Sequence, residues 1–145
     1  MIKSEYDYMS YKKELIMDII QKLKALGDET RLRIINALRQ GPLCVCELES
    51  ILEITQSNVS RHLNKLMNAG LVTYYKEAKF VYYKIDETSI KEYRFVETII
   101  NNDLEPQEIF EKDNLILKEY RNLGLGCESV SQIKEVVANI NNRSK

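Results

Sequence analysis

The sequence predicts a mainly α-helical fold that carries one β-hairpin. Apolar residues recur at helical spacing over most of residues 11–69. The pattern then changes, because residues 71–76 and 80–85 are rich in Val, Thr, Tyr and Phe and flank the polar Glu77-Ala78-Lys79. Two short helices across a tight turn, followed directly by a hairpin, are typical of a winged helix-turn-helix.

Capping residues and glycines set the predicted helix bounds. The first helix is predicted over 11–26, where Gly27 ends it, and Asp28 caps a second helix over 29–40. Gly41-Pro42 then breaks the chain. In the second helix we expect three basic side chains to face solvent, namely Arg31, Arg33 and Arg39. Further helices are predicted over 45–52, 56–69, 87–101, 107–122 and 129–142. Thr55 caps the helix over 56–69 and Gly70 ends it, and Asp86 precedes the helix over 87–101. Gly124 and Gly126 separate the last two helices.

Length and composition fit one domain, or a small domain with an extension. The chain has 145 residues, of which 44% are hydrophobic and 30% charged, which excludes disordered and collagen-like classes. Residues 1–10 carry Lys3, Glu5 and Asp7 and no apolar run, and every apolar run in the chain is short. Neither a secretory signal nor a membrane span is therefore expected. Three cysteines in such a chain predict reduced thiols in the cytoplasm and no disulfide framework.

Charge is unevenly distributed, although the net charge is only −1. Residues 54–84 have a net charge of +4 before His62 is counted, and they lie between segments of net charge −1 (1–53) and −4 (85–145). Clustered positive charge favours a phosphate-binding surface. A solvated surface hairpin is the alternative interpretation.

The helix predicted over 56–69 has the composition of a DNA-recognition helix. Its apolar residues hold it on the domain, and its other face carries amides, hydroxyls and cations. Amides and Arg read base edges in the major groove, while Ser and Lys suit phosphates. An ordinary polar helix face is the alternative interpretation, but the absence of acidic residues from 55–76 favours DNA binding. His62 is the only histidine of the chain, and we expect its side chain to pack or to face a phosphate. The candidate DNA-contacting residues in the helix and hairpin are Gln56, Ser57, Asn58, Ser60, Arg61, His62, Lys65, Lys76 and Lys79.

Four segments within about residues 23–86 resemble a known family. They are LGDETRLRI (26–34), LCVCEL (43–48), QSNVSRHL (56–63) and AGLV (69–72), and in order and spacing they resemble the ArsR/SmtB family of metal-responsive repressors. The resemblance implies a homodimer that binds palindromic operator DNA and is released when a thiophilic effector binds. It also implies dimerisation through the first helix, with its apolar stripe, and through the helices after the wing. We therefore expect a DNA-binding and dimerisation domain over 11–101, and over 102–145 a helical extension that serves dimerisation or the effector site.

Two cysteines flank one residue where the third helix is predicted to begin. Cys44 stands at the cap position and Glu47 follows three residues later, as in a capping box. A helix N-terminus favours thiolate, the form that binds soft metals. Side chains at i and i+2 of a regular helix point roughly 200° apart. Binding of one ion by Cys44 and Cys46 is therefore expected to distort the first turn and weaken DNA binding, whereas simple burial is the alternative role for the pair.

The segment LCVCEL resembles the arsenite-responsive and cadmium/lead-responsive branches of the family. Glu49 stands where the arsenite branch often has a further cysteine, residues 1–43 lack the N-terminal cysteines of the cadmium/lead branch, and residues 87–101 lack the His of zinc and nickel sensors. No constitutive cofactor is expected. Three cysteines, Cys44, Cys46 and Cys127, suit a trigonal As(III) or Sb(III) effector, provided that the chain near Gly126 is mobile enough for Cys127 to reach the other two. The expected function is therefore a transcriptional repressor that is released from DNA by As(III), Sb(III) or an organoarsenical.

Four other functions are weighed against this one. A thiol redox or reactive-sulfur switch could join Cys44 or Cys46 to Cys127, and a cadmium or lead sensor would use the same fold. A winged-helix module for protein partners would lack salt-dependent DNA binding. An enzyme is disfavoured, because the sequence contains no metal-hydrolase spacing, glycine-rich phosphate loop or nucleophile elbow.

Overall fold

A computed structural model describes residues 4–104 and 108–143. Within these ranges the chain forms eight α-helices and one two-stranded antiparallel sheet. A π-helical turn, Ile99–Asp103, follows the sixth helix, and 3-10 turns over Glu108–Phe110 and Cys127–Ser129 precede the last two helices. The elements are α1 (Glu5–Leu26), α2 (Glu29–Leu38), α3 (Val45–Leu52), α4 (Gln56–Asn68), β1 (Val72–Glu77), β2 (Phe80–Ile85), α5 (Glu87–Ile90), α6 (Arg94–Thr98), α7 (Glu111–Asn122) and α8 (Val130–Arg143).

Local capping fixes the ends of the central helices as the sequence predicts. The Asp28 side chain accepts from the Arg31 N–H at 3.0 Å, and the Thr55 hydroxyl accepts from the Asn58 N–H at 3.3 Å. Gly70, with φ +74°, ends α4, where its N–H donates to Met67 O and the Leu71 N–H donates to Leu66 O. This pair of bonds is a Schellman motif, which needs the left-handed conformation that glycine adopts without strain.

The core lies where α2, α3 and α4 meet. Ile34, Ile35, Leu48, Leu63 and Leu66 are fully buried there, and burial of each such side chain is worth about 1.5–3 kcal/mol. The last two helices, α7 and α8, pack against α3, and α7 also packs against α2. The described part of the C-terminal extension, residues 108–143, is therefore part of the same packed structure as the helix-turn-helix.

The predicted hairpin forms with β1 paired to β2 from Val72↔Ile85 to Glu77↔Phe80. Tyr75 and Tyr82 lie opposite each other with ring centroids 5.5 Å apart, an aromatic pair of the kind that stabilises strands. Leu43 adds a short third segment, because its N–H donates to Tyr83 O at 3.1 Å and its carbonyl accepts from the Tyr83 N–H at 2.8 Å. The residue immediately before Cys44 is thus hydrogen-bonded to the hairpin of β1 and β2, which is the wing.

The single helix predicted over 87–101 is wrong. The chain instead forms α5 and α6, separated at Lys91–Tyr93, and then the π-helical turn. At the break the Tyr93 hydroxyl donates to the Asp18 carboxylate of α1, and the Lys22 Nζ lies 4.6 Å from the Tyr93 ring centroid. These contacts with α1, which local sequence patterns do not encode, outweigh the helical propensity of the segment.

The prediction that Arg31, Arg33 and Arg39 face solvent is wrong for Arg31 and holds only in part for Arg33 and Arg39, which are half-buried. Arg31 is buried, and its side chain donates to Ala25 O at 2.6 Å and Lys24 O at 3.1 Å. Arg33 is half-buried and forms two hydrogen bonds to the Asp113 carboxylate of α7, at 2.8 and 2.9 Å. Arg31 thus joins α2 to the end of the preceding helix, and Arg33 joins α2 to α7, which is distant in sequence; periodicity alone reveals neither contact.

The first helix is longer than predicted and has an uncovered apolar face. It begins at Glu5, with the Ser4 hydroxyl accepting from the Asp7 N–H at 3.1 Å. Among the described residues, no helix combines the length and the apolar character needed to cross a membrane. The apolar side chains that α1 leaves exposed are Tyr6, Tyr8, Met9, Tyr11, Leu15, Ile16, Met17, Ile20 and Leu23.

Candidate metal centre and nucleic-acid interface

The three cysteines of the chain meet at the N-terminus of α3. Their sulfur atoms all lie within 4.8 Å of one another, although Cys127 is 83 residues from Cys44 in sequence. Cys44 and Cys127 are buried, at 4% and 8% exposure, and Cys46 is half-buried. Cys127 begins the 3-10 turn before α8 and reaches the cluster from an ordered, buried position, so the predicted mobility near Gly126 is not needed.

The structure joins Cys44 and Cys127 by a disulfide, with their Cα atoms 6.7 Å apart, and leaves Cys46 as a free thiol. This differs from the predicted set of three reduced thiols, because the packing of the extension on α3 brings two distant cysteines into bonding range. The Cys46 Sγ lies 2.9 Å from the Cys44 Sγ. The cluster can therefore hold either a disulfide or, when reduced, three sulfur ligands.

The close approach of the Cys44 and Cys46 sulfurs does not require a distorted α3, and distortion on effector binding stays a prediction. Cys44 is the N-cap residue, with extended backbone angles of φ −89° and ψ 168°, and α3 begins regularly at Val45. The i, i+2 argument holds only when both residues are helical. Because Cys44 precedes the helix, its sulfur can approach the Cys46 sulfur while the first turn of α3 keeps its regular backbone geometry.

Glu47 organises the polar side of the cluster. It is buried, accepts from the Cys44 N–H at 2.9 Å and also accepts from the Tyr120 hydroxyl of α7. The first of these bonds is the carboxylate half of the predicted capping box. The Cys127 Sγ lies 3.1 Å from Glu47 Oε1, where a reduced thiol can donate. Tyr120 is a neighbour of the cluster that the sequence patterns do not reveal, since an aromatic residue in an amphipathic helix indicates only core.

Burial controls the ionisation of this site. It raises the pKa of the Glu47 carboxyl, an effect opposed in part by the hydrogen bond from the Cys44 N–H. Burial also raises the pKa of the Cys46 thiol, and the negative charge of Glu47 adds to this shift. The free protein therefore disfavours the Cys46 thiolate, and a bound cation would have to displace its proton.

The reduced cluster fits a thiophilic ion. Two sulfurs that share an ion with metal–sulfur bonds of about 2.3 Å lie less than about 4.6 Å apart, so the three sulfurs, which lie within 4.8 Å of one another, need only a small inward shift to bind one ion. Soft thiolate ligands select soft ions over hard ones. The disulfide must be reduced before Cys44 and Cys127 can bind.

The helix-turn-helix presents the polar face of α4 to solvent. Gln56, Ser57, Asn58, Arg61 and Lys65 are exposed, and Ser60 is half-buried. Arg61 Nη2 donates to Asn58 Oδ1 at 3.2 Å, so these two side chains lie together on one face. In the wing, Lys76 and Lys79 are exposed on either side of the turn at Ala78, whose φ is +54°.

His62 differs from the other eight candidate contacts, because its side chain is buried at 6% exposure. Its Nδ1 lies 3.2 Å from Arg31 Nη1, and burial lowers the pKa of its ring. His62 therefore packs behind the polar face of α4. The packing interpretation, and not the phosphate-facing one, describes its place in the free protein.

Comparison with known proteins shows which family the chain belongs to. Residues 28–74 match the family model described as "Bacterial regulatory protein, arsR family". The arsenical resistance operon repressor of Bacillus subtilis (strain 168) is 41% identical over 80 residues, which cover 54% of this chain and 76% of that protein. The chain belongs to the arsR family. Membership places it among bacterial regulatory proteins and not among enzymes.

Two further relatives bear on this ArsR-family protein. A protein of Staphylococcus aureus named cadmium resistance transcriptional regulatory protein CadC homolog is 42% identical over 77 residues, or 52% of this chain, and the match spans 64% of that protein's own length. A solution NMR structure of a homodimeric winged helix-turn-helix domain from Mycobacterium bovis has 25% sequence identity and a TM-score of 0.56, and the match covers 73% of this chain and 94% of that one. Residues 108–143, which supply Cys127, lie outside the range of the family model.

Proposed function

We propose that this ArsR-family protein is a homodimeric repressor that binds operator DNA and is released when As(III) or Sb(III) binds its cysteines. The observation that carries the proposal is the meeting of Cys44, Cys46 and Cys127 within 4.8 Å, beside the helix-turn-helix. Soft ions prefer such a ligand set. Its position at the start of α3, next to the wing contact of Leu43, supports a role in controlling DNA affinity.

The DNA-binding part of the proposal rests on α4 and the wing. The exposed face of α4 combines amide, hydroxyl and guanidinium groups without an acidic residue, which suits base edges and phosphates together. The lysines at the tip of the wing extend the positive surface beyond α4. The same surface would supply salt-dependent affinity for any DNA sequence.

The dimer is proposed to form through α1. The winged helix-turn-helix domain from Mycobacterium bovis, a structural neighbour, is homodimeric. Nine large apolar side chains are exposed on this helix, and a monomeric soluble protein rarely leaves such a patch uncovered. A two-fold dimer would place two copies of α4 on successive half-sites of a palindrome.

The number of sulfur ligands favours arsenic over cadmium. As(III) is satisfied by three thiolates in a trigonal pyramid, and the cluster offers three sulfurs from one chain. Structural sites for larger thiophilic ions commonly use four ligands. Relatives named for arsenical and for cadmium resistance have similar identity to this chain, so the ligand count is the feature on which we base the choice.

One titration tests the proposal. The reduced full-length protein is bound to a fluorescent DNA duplex obtained by in vitro selection with this protein. Arsenite, Cd(II), Pb(II) and Zn(II) are then added separately while release is followed by anisotropy. We expect arsenite to release the duplex at the lowest concentration. Release by Cd(II) or Pb(II) but not by arsenite would contradict the choice of effector, and a protein that binds no duplex would contradict the proposal as a whole.

A second candidate function is favoured by the disulfide between Cys44 and Cys127. In this alternative the two thiols lose two protons and two electrons to a peroxide or to another disulfide. Formation of the Cys44–Cys127 disulfide, and not binding of an ion, then releases the DNA. Treatment with hydrogen peroxide in the absence of arsenite would then release the duplex, and a thiol reductant would restore binding. Mass spectrometry of the released protein separates the two candidates, because one gains arsenic and the other loses two hydrogens.

A further inference from the structure

The C-terminal extension contacts both ends of α3. At the first end it supplies Cys127 to the cysteine cluster, and Tyr120 donates to the buried Glu47. At the other end it binds Glu53, the residue that follows α3. The two contact regions are joined by α7 and α8, which pack against each other and against α3.

Glu53 stands at the turn of the helix-turn-helix. Its backbone is left-handed, with φ +55° and ψ 44°, and only Ile54 separates it from Thr55, the N-cap of α4. A glutamate in this conformation is uncommon. Its carboxylate accepts from Lys112 Nζ of α7 at 2.6 Å and from Asn141 Nδ2 of α8 at 3.2 Å. The extension therefore binds the residue that connects α3 to the recognition helix.

A separate set of bonds fixes the start of α7 on α2. Asp113, which is buried, forms a two-bond ion pair with Arg33, and Arg33 Nη2 also donates to Leu52 O, at the last residue of α3, at 2.8 Å. The Asn114 side chain accepts from Asn36 Nδ2 at 2.8 Å. Lys112, Asp113 and Asn114 are consecutive, so the contact with Glu53 is made by a segment that α2 already holds.

We infer that the extension transmits effector binding from the cysteine cluster to the turn before α4, with Glu53, Lys112 and Asn141 as positioning residues. The inference rests on the proposed function. Because Cys44 and Cys46 come together without unwinding α3, binding by this pair alone gives no displacement of the helix-turn-helix. An ion that also takes Cys127 sets the position of the Cys127 sulfur relative to α3, and the extension that carries Cys127 is bonded to the turn at Glu53. A shift at one end of α3 thereby reaches the other end through α7 and α8.

The test compares coupling in full-length variants. Lys112→Gln combined with Asn141→Ala removes both side-chain partners of Glu53, and Glu53→Gln removes the ion pair from the other side. Lys118→Gln is the matched control, since Lys118 is exposed on the same helix and, within residues 4–104 and 108–143, forms no ion pair. For each protein the operator Kd is measured with and without saturating arsenite, and the arsenite Kd is measured with and without operator.

We expect the ratio of the two operator Kd values to fall by about three- to fivefold in the double variant and in Glu53→Gln, as loss of surface ion pairs would give. Arsenite affinity of the free protein should stay unchanged, because all three cysteines are intact. By linkage, arsenite affinity of the DNA-bound protein should rise by the same factor, a change that a merely structural role would not produce. The Lys118→Gln control should match wild type.

Equal ratios in wild type and both variants would overturn the inference alone and leave the proposed function standing. A wild-type protein that binds arsenite but keeps its operator would overturn the proposed function, and the inference with it.

Discussion

Arg31 Nη1 of α2 lies 3.2 Å from Nδ1 of His62 in the recognition helix. The same guanidinium group donates to the carbonyls of Lys24 and Ala25 at the end of α1. One buried cation thus joins the helix proposed to form the dimer to the helix proposed to read DNA. The spacing of two recognition helices in a dimer would depend on this contact.

Removal of the Arg31 guanidinium should destabilise the protein. Arg31→Met keeps much of the apolar stem but leaves the Ala25 and Lys24 carbonyls and the His62 ring without their donor. We expect the free energy of unfolding in urea to fall by about 2–4 kcal/mol, since hydrogen bonds to charged groups are worth about 1.5–3 kcal/mol each. The matched control is the exposed neighbour of His62: Arg61→Ala should change stability by less than about 0.5 kcal/mol. A fall of the same size in both variants would contradict the assigned role of Arg31.

The recognition helix and the wing should fail in different ways when mutated. Arg61→Ala and Gln56→Ala should weaken binding to the selected operator more than to unrelated DNA, because their side chains are placed to read base edges. Lys79→Ala should weaken binding to all sequences and lower the slope of log Kobs against log salt by about one. Anisotropy titrations over a range of salt give both quantities. Wild-type operator affinity in Arg61→Ala would place the reading surface elsewhere.

The bond from Tyr93 to Asp18 should make stability depend on pH at both extremes. It lowers the pKa of Asp18 and raises the pKa of Tyr93 to about 12. The contribution of Asp18 is present above its ordinary pKa of 3.8 and is lost as the pH falls through the lowered value. The contribution of Tyr93 is present below its ordinary pKa of 10.0 and is lost as the pH rises through about 12.

Tyr93→Phe tests this dependence. Because the Asp18 side chain is 40% exposed, solvent screens the bond, and we expect a loss of only about 1 kcal/mol at neutral pH. The loss should shrink in urea titrations at about pH 3, where the unfolded state binds the Asp18 proton. Tyr6→Phe, at an exposed position of α1, should have no effect at either pH. A loss that is constant with pH would show that the Tyr93 hydroxyl stabilises the protein independently of the Asp18 charge and would contradict this account.

Cys127→Ser should lower arsenite affinity without abolishing it. Cys44 and Cys46 would still hold arsenic by two sulfurs, but the third position would be left to solvent, so the effective concentration supplied by a third protein ligand would be lost. The effect should be smaller for a monomethylated arsenical, which binds only two sulfurs. Isothermal titration without added thiol gives these affinities. Equal arsenite affinities for Cys127→Ser and wild type would reduce the site to Cys44 and Cys46.

Features with local causes could be predicted from the sequence. The caps at Asp28 and Thr55 and the end of α4 at Gly70 depend on residues within five positions of one another, and the two strands adjoin the same short turn at Ala78. The cysteine pair at the start of α3 belongs to the same class. Periodicity and capping preferences are therefore sufficient for the helix-turn-helix and the wing.

Features that depend on distant contacts could not be predicted in the same way. Tyr93 interrupts a helical pattern because its partner Asp18 is 75 residues away, and Arg31 is buried because α1 and α4 surround it. Cys44 and Cys127 meet because the extension folds back across α3. The sequence indicates that Cys127 is available as a third sulfur ligand, but the geometry depends on tertiary packing.

Release of operator by arsenite in Cys44→Ser, compared with wild type, tests the central claim most directly. Serine is a better N-cap than cysteine and similar in size, so folding and operator affinity without arsenite should stay nearly unchanged. A hydroxyl that remains protonated at neutral pH does not replace a thiolate toward a soft ion, and the variant should therefore keep its DNA at arsenite concentrations that fully release the wild type. If Cys44→Ser released the duplex at the same arsenite concentration as wild type, the effector site would not lie at the start of α3.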